Sequence, residues 1–76
     1  MFITITVKSG GHRADIRIDN EQQISAGFMT LMESGKMPHG EVPAYFRSKH
    51  GEKLVSAYKT FHAEEVYDGD VLTAVV

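Results

Sequence analysis

The sequence predicts an α+β fold in which a mixed sheet of four to five strands packs on one helix. Apolar and polar residues alternate over residues 1–7 and 14–18, as in strands with one buried face. Only residues 20–35 have the apolar spacing of an amphipathic helix. Residues 71–76 are again rich in β-branched side chains, so the chain is predicted to finish in a strand.

The first two strands are predicted to form an antiparallel hairpin. The segment between them contains Gly10 and Gly11, which favour a tight turn because glycine adopts positive φ without steric cost. The charged residues that alternate with the isoleucines of the second strand then face water. The side chains expected to face the core are those of Met1, Ile3, Ile5, Val7, Ala14, Ile16 and Ile18.

The helix is predicted to begin at Asn20, whose side chain would cap the backbone of Gln23 while Gln23 reaches back, as in a capping box. Asp19 and Glu21 would place negative charge near the positive end of the helix dipole. Gly35 is expected to close the helix in the left-handed conformation. The apolar stripe, at i, i+4, i+7 and i+8, consists of Ile24, Phe28, Leu31 and Met32.

After the helix the chain is predicted to form a loop, two short strands and a long connection. Two prolines hold residues 37–43 extended, and residues 44–48 and 54–55 are the short strands. The connection over residues 56–70 is expected to end in a turn over residues 67–70. Three apolar side chains would fix this connection to the core: Tyr58, Phe61 and Val66.

The elements therefore occur in the order strand, strand, helix, strand, short strand, strand. A right-handed crossover makes the last strand a parallel neighbour of the first. Leu72, Ala74 and Val76 would then face the helix, and Gly27 would mark the close approach of a strand to it. A mixed sheet that holds one helix across its face is a β-grasp, and residues 1–76 are predicted to form one such domain.

The composition excludes several classes of function. Without cysteine, the chain has neither a disulfide framework nor a thiolate metal site, which fits the cytosol. The net charge of −2 is spread along the chain and gives no reason to expect nucleic acid or an acidic membrane surface as partner. No apolar run approaches the roughly 18 residues of a membrane span, and the N-terminal segment lacks the basic region of a signal peptide.

The order, lengths and spacing of the elements also carry a family resemblance. The hairpin of residues 1–18 has the right length and alternation, and Met37-Pro38 follows the helix. The remaining matches are Tyr45-Phe46-Arg47, Thr60-Phe61, Val66, Asp68-Gly69-Asp70 and Val71-Leu72. Together they make the chain similar to ubiquitin-like β-grasp proteins. It most closely resembles the bacterial YukD/EsaB family of type VII secretion systems.

The resemblance implies a non-enzymatic adaptor or regulatory subunit that acts by protein–protein docking. Its expected partners are a membrane ATPase or other membrane-anchored subunits of the secretion machine, which would hold a cytoplasmic protein at the inner face of the membrane. The alternative is a ubiquitin-type protein modifier or a sulfur carrier. Those relatives carry a flexible Gly-Gly tail, whereas this chain ends in Ala74-Val75-Val76, so this alternative is disfavoured.

No catalytic constellation or cofactor motif stands out in the sequence, and the protein is not expected to be an enzyme. The serines lack a nucleophile motif, and the acidic pair Glu64-Glu65 falls in a predicted solvated loop. Gly10-Gly11 is not followed by a helix and so is not a phosphate loop. The four histidines lie far apart in predicted turns and loops and are expected to be surface residues rather than metal ligands: His12, His39, His50 and His62.

The sheet face that points away from the helix is the candidate binding surface. An exposed apolar and aromatic patch, rimmed here by Arg47 and Lys49, is typical of protein-docking surfaces. Tyr45 and Arg47 would be its anchors, and Phe2 and Val75 its apolar floor. The predicted protein-binding patch consists of Phe2, Thr4, Tyr45, Arg47, Val71, Thr73 and Val75.

Three other interpretations of this face stay open. The first is ordinary exposure of β-forming residues on a small domain. The second is single-stranded nucleic acid stacking on Phe2 and Tyr45, which the net charge disfavours. The third is a homodimer formed through the same face. A register slip of one residue at Tyr45 and Phe46 would exchange the two faces and weaken the patch.

Overall fold

The computed structural model describes residues 1–75 and contains five strands and one helix. The orientation expected for Val76 lies outside the described residues. The helix within this range lacks the length and apolarity needed to cross a bilayer. In chain order the elements are β1 (Phe2–Ser9), β2 (His12–Asp19), α1 (Ile24–Glu33), β3 (Tyr45–Ser48), β4 (Lys53–Ser56) and β5 (Val71–Val75).

The sheet has the strand order β2-β1-β5-β3-β4. The first and last strands are parallel neighbours at its centre, and every other pair is antiparallel. This confirms the predicted adjacency of β1 and β5, because the chain returns to β1 only after crossing the helix. The helix packs on one face of the sheet, and the fold is the predicted β-grasp.

The β1–β2 hairpin is longer than predicted and turns through only two residues. The strands extend to Ser9 and resume at His12, which leaves Gly10 and Gly11 as the loop. Both glycines have positive φ, at 54° and 85°, as a type I′ turn requires. The twist of this turn matches that of the strands, so pairing continues up to the loop on both sides.

The predicted start of the helix is wrong. Helix α1 begins at Ile24 rather than Asn20, and no side chain caps it. Its first two amides donate instead to the long connection: Ile24 N–H to Lys59 O at 3.0 Å and Ser25 N–H to Ala57 O at 2.8 Å. Carbonyls distant in sequence thus replace the cap that Asn20 was expected to supply.

The end of the helix follows the prediction. Gly35 has φ 76°, and its N–H donates to Met32 O at 3.1 Å. Lys36 N–H donates to Leu31 O at 2.9 Å, which completes a Schellman motif. The last carbonyls of the helix are therefore satisfied before the chain turns away.

The core lies between the helix stripe and one face of the sheet. All four predicted stripe residues are buried, and Phe28 packs against Phe46 with ring centroids 5.7 Å apart. Ile16 and Ile18 are half-buried at the margin of this core. Its buried members are Ile3, Ile5, Val7, Ala14, Ile24, Phe28, Leu31, Met32, Met37, Phe46, Val55, Ala57, Phe61, Val66 and Leu72.

Two predicted core contacts are wrong. Met1 is exposed, since it precedes β1, which begins at Phe2, while Ile3 is the first buried residue of that strand. Tyr58 is exposed because the preceding Ala57 takes the buried position in the connection. Phe61 and Val66 fix this segment as predicted.

Gly27 lies where the sheet and the long connection meet the helix. A Cβ at this position would lie 3.2 Å from the Phe61 ring and 3.3 Å from Ile18 Cδ1. The predicted close approach of a strand is therefore confirmed by β2. The ring of Phe61 comes as near, so two elements together require the glycine.

Candidate functional site

The sheet face opposite the helix is uncovered by the described chain. Alternate residues of all five strands project from it, as the cross-strand pairs show. We call this surface the outer face. Its side chains belong to Phe2, Thr4, Thr6, Lys8, Arg13, Asp15, Arg17, Asp19, Tyr45, Arg47, Leu54, Ser56, Val71, Thr73 and Val75.

All seven residues predicted for the patch lie on the outer face. Phe2 is 57% exposed, Tyr45 53% and Val75 43%. Thr4, Arg47 and Thr73 are also exposed, and Val71 is half-buried. The register of β3 is the predicted one, since Phe46 points into the core and its neighbours Tyr45 and Arg47 point out.

The seven residues do not form one continuous patch. In the β1–β5 pairing Thr6 lies beside Val71, so Phe2 precedes the paired region and Val75 lies past it. At about 3.3 Å per residue, Phe2 and Val75 are separated by roughly 25 Å along the strands. The prediction that they share one apolar floor is therefore wrong.

The Phe2 end of the outer face is a separate cluster. The guanidinium carbon of Arg17 lies 4.7 Å from the centroid of the Phe2 ring, a cation–π contact. Asp19 pairs with Phe2 across the strands and accepts the Glu21 N–H at 3.0 Å. This bond, aided by the N-terminal ammonium of Met1 and opposed by desolvation, lowers the pKa of the Asp19 carboxyl.

The other end brings four of the predicted residues together. Tyr45 lies opposite Val75, and Arg47 lies opposite Thr73. On its other side Arg47 pairs with Leu54, which is 51% exposed and was not predicted as part of the site. The inward position of Val55 would have identified Leu54 as outward-facing, because neighbours alternate along a strand. We call these five residues the β3–β5 patch.

Basic side chains border the β3–β5 patch. An open concavity of ≈390 Å³ is lined by Lys8, Arg47 and Lys49, together with Glu52 and the edges of β3 and β5. Within residues 1–75 none of these three cations has a carboxylate within salt-bridge distance. The patch thus combines exposed apolar groups with positive charge, although the whole chain carries a net charge of −2.

A buried polar cluster fixes the position of this patch. Asp70 is almost fully buried and accepts hydrogen bonds from the Ser48 hydroxyl, from His50 N–H at 3.0 Å and from Val71 N–H at 2.7 Å. Ser48 Oγ in turn accepts the N–H of Gly51 at 3.0 Å. The cluster ties the end of β3 to the start of β5.

The residues considered for catalysis lie apart or have structural contacts. The four histidines are exposed and belong to different segments of the chain. Glu64 is half-buried rather than solvated, because its carboxylate accepts the N–H of Ser56 at 2.6 Å. Glu65 Oε1 lies 3.9 Å from Lys53 Nζ. The buried polar residues among those described are Ser48 and Asp70, and their contacts join strands.

The positions of the aromatic side chains also bear on nucleic-acid binding. Tyr45 lies opposite Val75, at the end of the outer face farthest from Phe2. Stacking of successive bases needs neighbouring aromatic platforms. Phe2 and Tyr45 therefore do not form the platform that this alternative required.

Comparison with known proteins identifies the fold. No family model and no curated protein matches the chain. The ubiquitin-like domain of EccD5 from Mycobacterium xenopi superposes with a TM-score of 0.60 at 16% identity, over 99% of this chain and 93% of that one. The ubiquitin of Caldiarchaeum subterraneum gives a TM-score of 0.60 at 17% identity, over 100% and 96% of the two chains. Likeness at such low identity shows the fold, and the chain is therefore a ubiquitin-like β-grasp.

Proposed function

We propose that the protein is a non-enzymatic docking module, an adaptor or regulatory subunit of a bacterial type VII-like secretion system of the YukD/EsaB kind. The observation that carries the proposal is the β3–β5 patch, where exposed Tyr45, Leu54 and Val75 surround Arg47. Exposed apolar groups next to charged ones on a rigid sheet are typical of protein-docking surfaces. The fold likeness to the EccD5 domain supports the choice of system.

The chemistry of the patch indicates what kind of segment would dock there. Tyr45 and Arg47 belong to the residue types that most often dominate binding energy at interfaces. Lys8, Arg47 and Lys49 favour a partner that carries acidic groups beside its apolar contacts. The partner we propose is a membrane ATPase or another membrane-anchored subunit of the machine. It would hold the protein at the cytoplasmic side of the membrane.

The test is binding by variants of the patch. The chain is used to capture its partner from the membrane fraction of the source cell, and the affinity for the purified partner is then measured by calorimetry. Y45E and V75E should each abolish detectable binding, because each places a carboxylate in the apolar part of the patch. Their circular dichroism spectra should match that of the unchanged protein, since both side chains are exposed.

A matched control comes from helix α1, on the opposite side of the sheet. Met29 lies on this helix and is 49% exposed, about as exposed as Tyr45, so M29E should bind with unchanged affinity. Unchanged affinity of both Y45E and V75E would refute the patch as the docking surface. A captured partner unrelated to secretion, bound through the same residues, would refute the proposed system and leave the surface intact.

A further inference from the structure

Strand β2 forms an open edge of the sheet. It pairs only with β1, whereas the opposite edge strand, β4, is partly closed because Glu64 accepts the outward N–H of Ser56. An edge strand presents unpaired N–H and C=O groups to any strand that approaches it. With eight residues β2 is also twice as long as β4, which has four.

The hairpin determines which groups of β2 point outward. Ser9 and His12 flank the two-residue turn and form a hydrogen-bonded pair. Hydrogen-bonded and non-bonded pairs alternate along an antiparallel ladder. Counting in steps of two from Ser9 and His12 makes Met1 and Asn20 a hydrogen-bonded pair as well, and the bond from Asn20 N–H to Met1 O, at 2.8 Å, agrees with this. The backbone groups directed away from β1 therefore belong to Arg13, Asp15, Arg17 and Asp19.

These same four residues alternate in charge. A second β2 running antiparallel, with Ile16 at the two-fold axis, sets Asp15 opposite the partner's Arg17 and Arg13 opposite the partner's Asp19. Each of these pairs has its backbone groups directed at the other strand. The central Asp15–Arg17 pairs can each exchange two N–H···O=C bonds, whereas the carbonyl of Asp19 already accepts the Gln22 N–H at 3.0 Å.

The neighbouring registers are unfavourable. A slip that places Asp15 on the axis opposes Asp15 to itself and Arg13 to the partner's Arg17. A slip in the other direction opposes Arg17 to itself and Asp15 to the partner's Asp19. Like charges directly opposite destabilise a strand pair. A slip of a single residue would place the outward-directed backbone groups of one strand opposite groups of the other strand that already bond β1. The charge pattern thus selects one alignment of two copies.

Apolar contacts on the inner face agree with that alignment. Ile16 and Ile18 are half-buried at the margin of the core. In the aligned pair Ile16 meets the partner's Ile16, and Ala14 meets the partner's Ile18. Pairing would cover the exposed parts of these side chains, and burial of apolar surface favours it.

We propose that a second copy of this chain adds to β2 in this register and forms one continuous sheet across the two-fold axis. Asp15 and Arg17 are held in place for it. Asp15 accepts the Thr6 hydroxyl at 2.6 Å, and Arg17 stacks on Phe2. Asp19 already contacts the N-terminal ammonium and the Glu21 amide, so the central Asp15–Arg17 pairs contribute more than the outer ones.

The proposal is independent of the docking function. The β3–β5 patch lies beyond β1 from this edge and stays free in the dimer. Because the axis is perpendicular to the sheet, both outer faces point the same way, and the dimer would present two patches to one membrane-bound partner. A single strand pair buries less than a standard interface, so we expect dissociation constants of roughly 0.1–1 mM.

Charge exchange within β2 tests the register. In D15R the introduced arginine opposes the partner's Arg17, and in R17D the introduced aspartate opposes the partner's Asp15. Sedimentation velocity from about 10 μM to about 2 mM should show each variant dimerising on the order of tenfold more weakly than the unchanged chain. An equimolar mixture of the two variants should recover dimers, because every outward pair is then of opposite charge.

Amide exchange measured by NMR identifies the surface used. As concentration rises, the amides of Asp15 and Arg17 should become protected, while those of Ala14 and Ile16, already bonded to β1, should change little. Y45E should dimerise like the unchanged chain, which separates this contact from the β3–β5 patch. A chain that stays monomeric to about 2 mM, single variants that dimerise undiminished, or a mixture that fails to recover dimers would each overturn the proposal.

Discussion

Removing the carboxylate of Asp70 tests how β3 and β5 are held together. D70A deletes the acceptor of three hydrogen bonds, from the buried Ser48 hydroxyl and from the half-buried amides of His50 and Val71. Counting about 2 kcal/mol for the buried donor and about 1 for each amide, we expect D70A to lower the free energy of unfolding by about 4 kcal/mol. That is a large part of the stability of a small domain.

Urea unfolding followed by circular dichroism measures this loss, with two milder variants beside it. D70N keeps the shape and one acceptor oxygen and should cost about 2 kcal/mol, and S48A should cost about 1.5 kcal/mol. The double variant should cost less than the sum, because both changes remove the same bond. Asp68, exposed and bonded to Thr4 N–H, is the control, and D68N should cost under about 1 kcal/mol. Additive losses, or a D70N as stable as the unchanged chain, would refute the assigned role of Asp70.

Three further changes test other parts of the fold. G27A should lower the free energy of unfolding by about 1 kcal/mol despite its better helix propensity, because the added Cβ would crowd Phe61; a stabilised variant in thermal melts would contradict this. G11A should cost about 1 kcal/mol, whereas G10N should be nearly neutral, since asparagine suits the first position of a type I′ turn; equal urea midpoints would exclude that turn. The lowered pKa of Asp19 predicts that D19N is less stable than the unchanged chain above pH 3.8, and that the difference disappears as pH falls through the folded-state pKa below it; a difference that persists at the acid end would refute this linkage.

The alternation along each strand predicts most of the strand residues that face the core. Ile3, Ile5, Phe46 and Leu72 all point inward as expected, because a strand with one buried face has a side-chain period of two residues. The apolar stripe of the helix and the role of Gly35 at its end could be predicted as well, since both depend on local spacing. The order of the elements then gave the parallel pairing of β1 and β5 through the handedness of the crossover.

The start of the helix could not be read from its own residues. Asn20 has the chemistry of a cap, but its backbone C=O accepts the His62 N–H at 2.9 Å, and Gln22 O accepts the Phe61 N–H at 3.2 Å. Residues 20–22 are thus held beside the long connection, and the helix starts later. Contacts made by segments so distant in sequence leave no local signal.

The division of the candidate site has a similar origin. Strand alternation placed Phe2 and Val75 correctly on the outer face, but the distance between them depends on the stagger of β5 relative to β1. That stagger is set by the chain before β5, where Gly69 N–H donates to Thr4 O at 2.8 Å. Leu54, by contrast, could have been found from the alternation of its own strand.

The central position of β1 and β5 has a consequence for how the protein folds during synthesis. The hairpin, the helix and the long connection all emerge from the ribosome before β5, yet the middle of the sheet is missing until that strand arrives. The apolar side of β1 and the helix stripe therefore stay only partly covered until β5 has emerged. Such a nascent chain depends on fast synthesis of β5 or on a chaperone. A ribosome stalled before residue 71 would carry a product that is prone to aggregation and proteolysis.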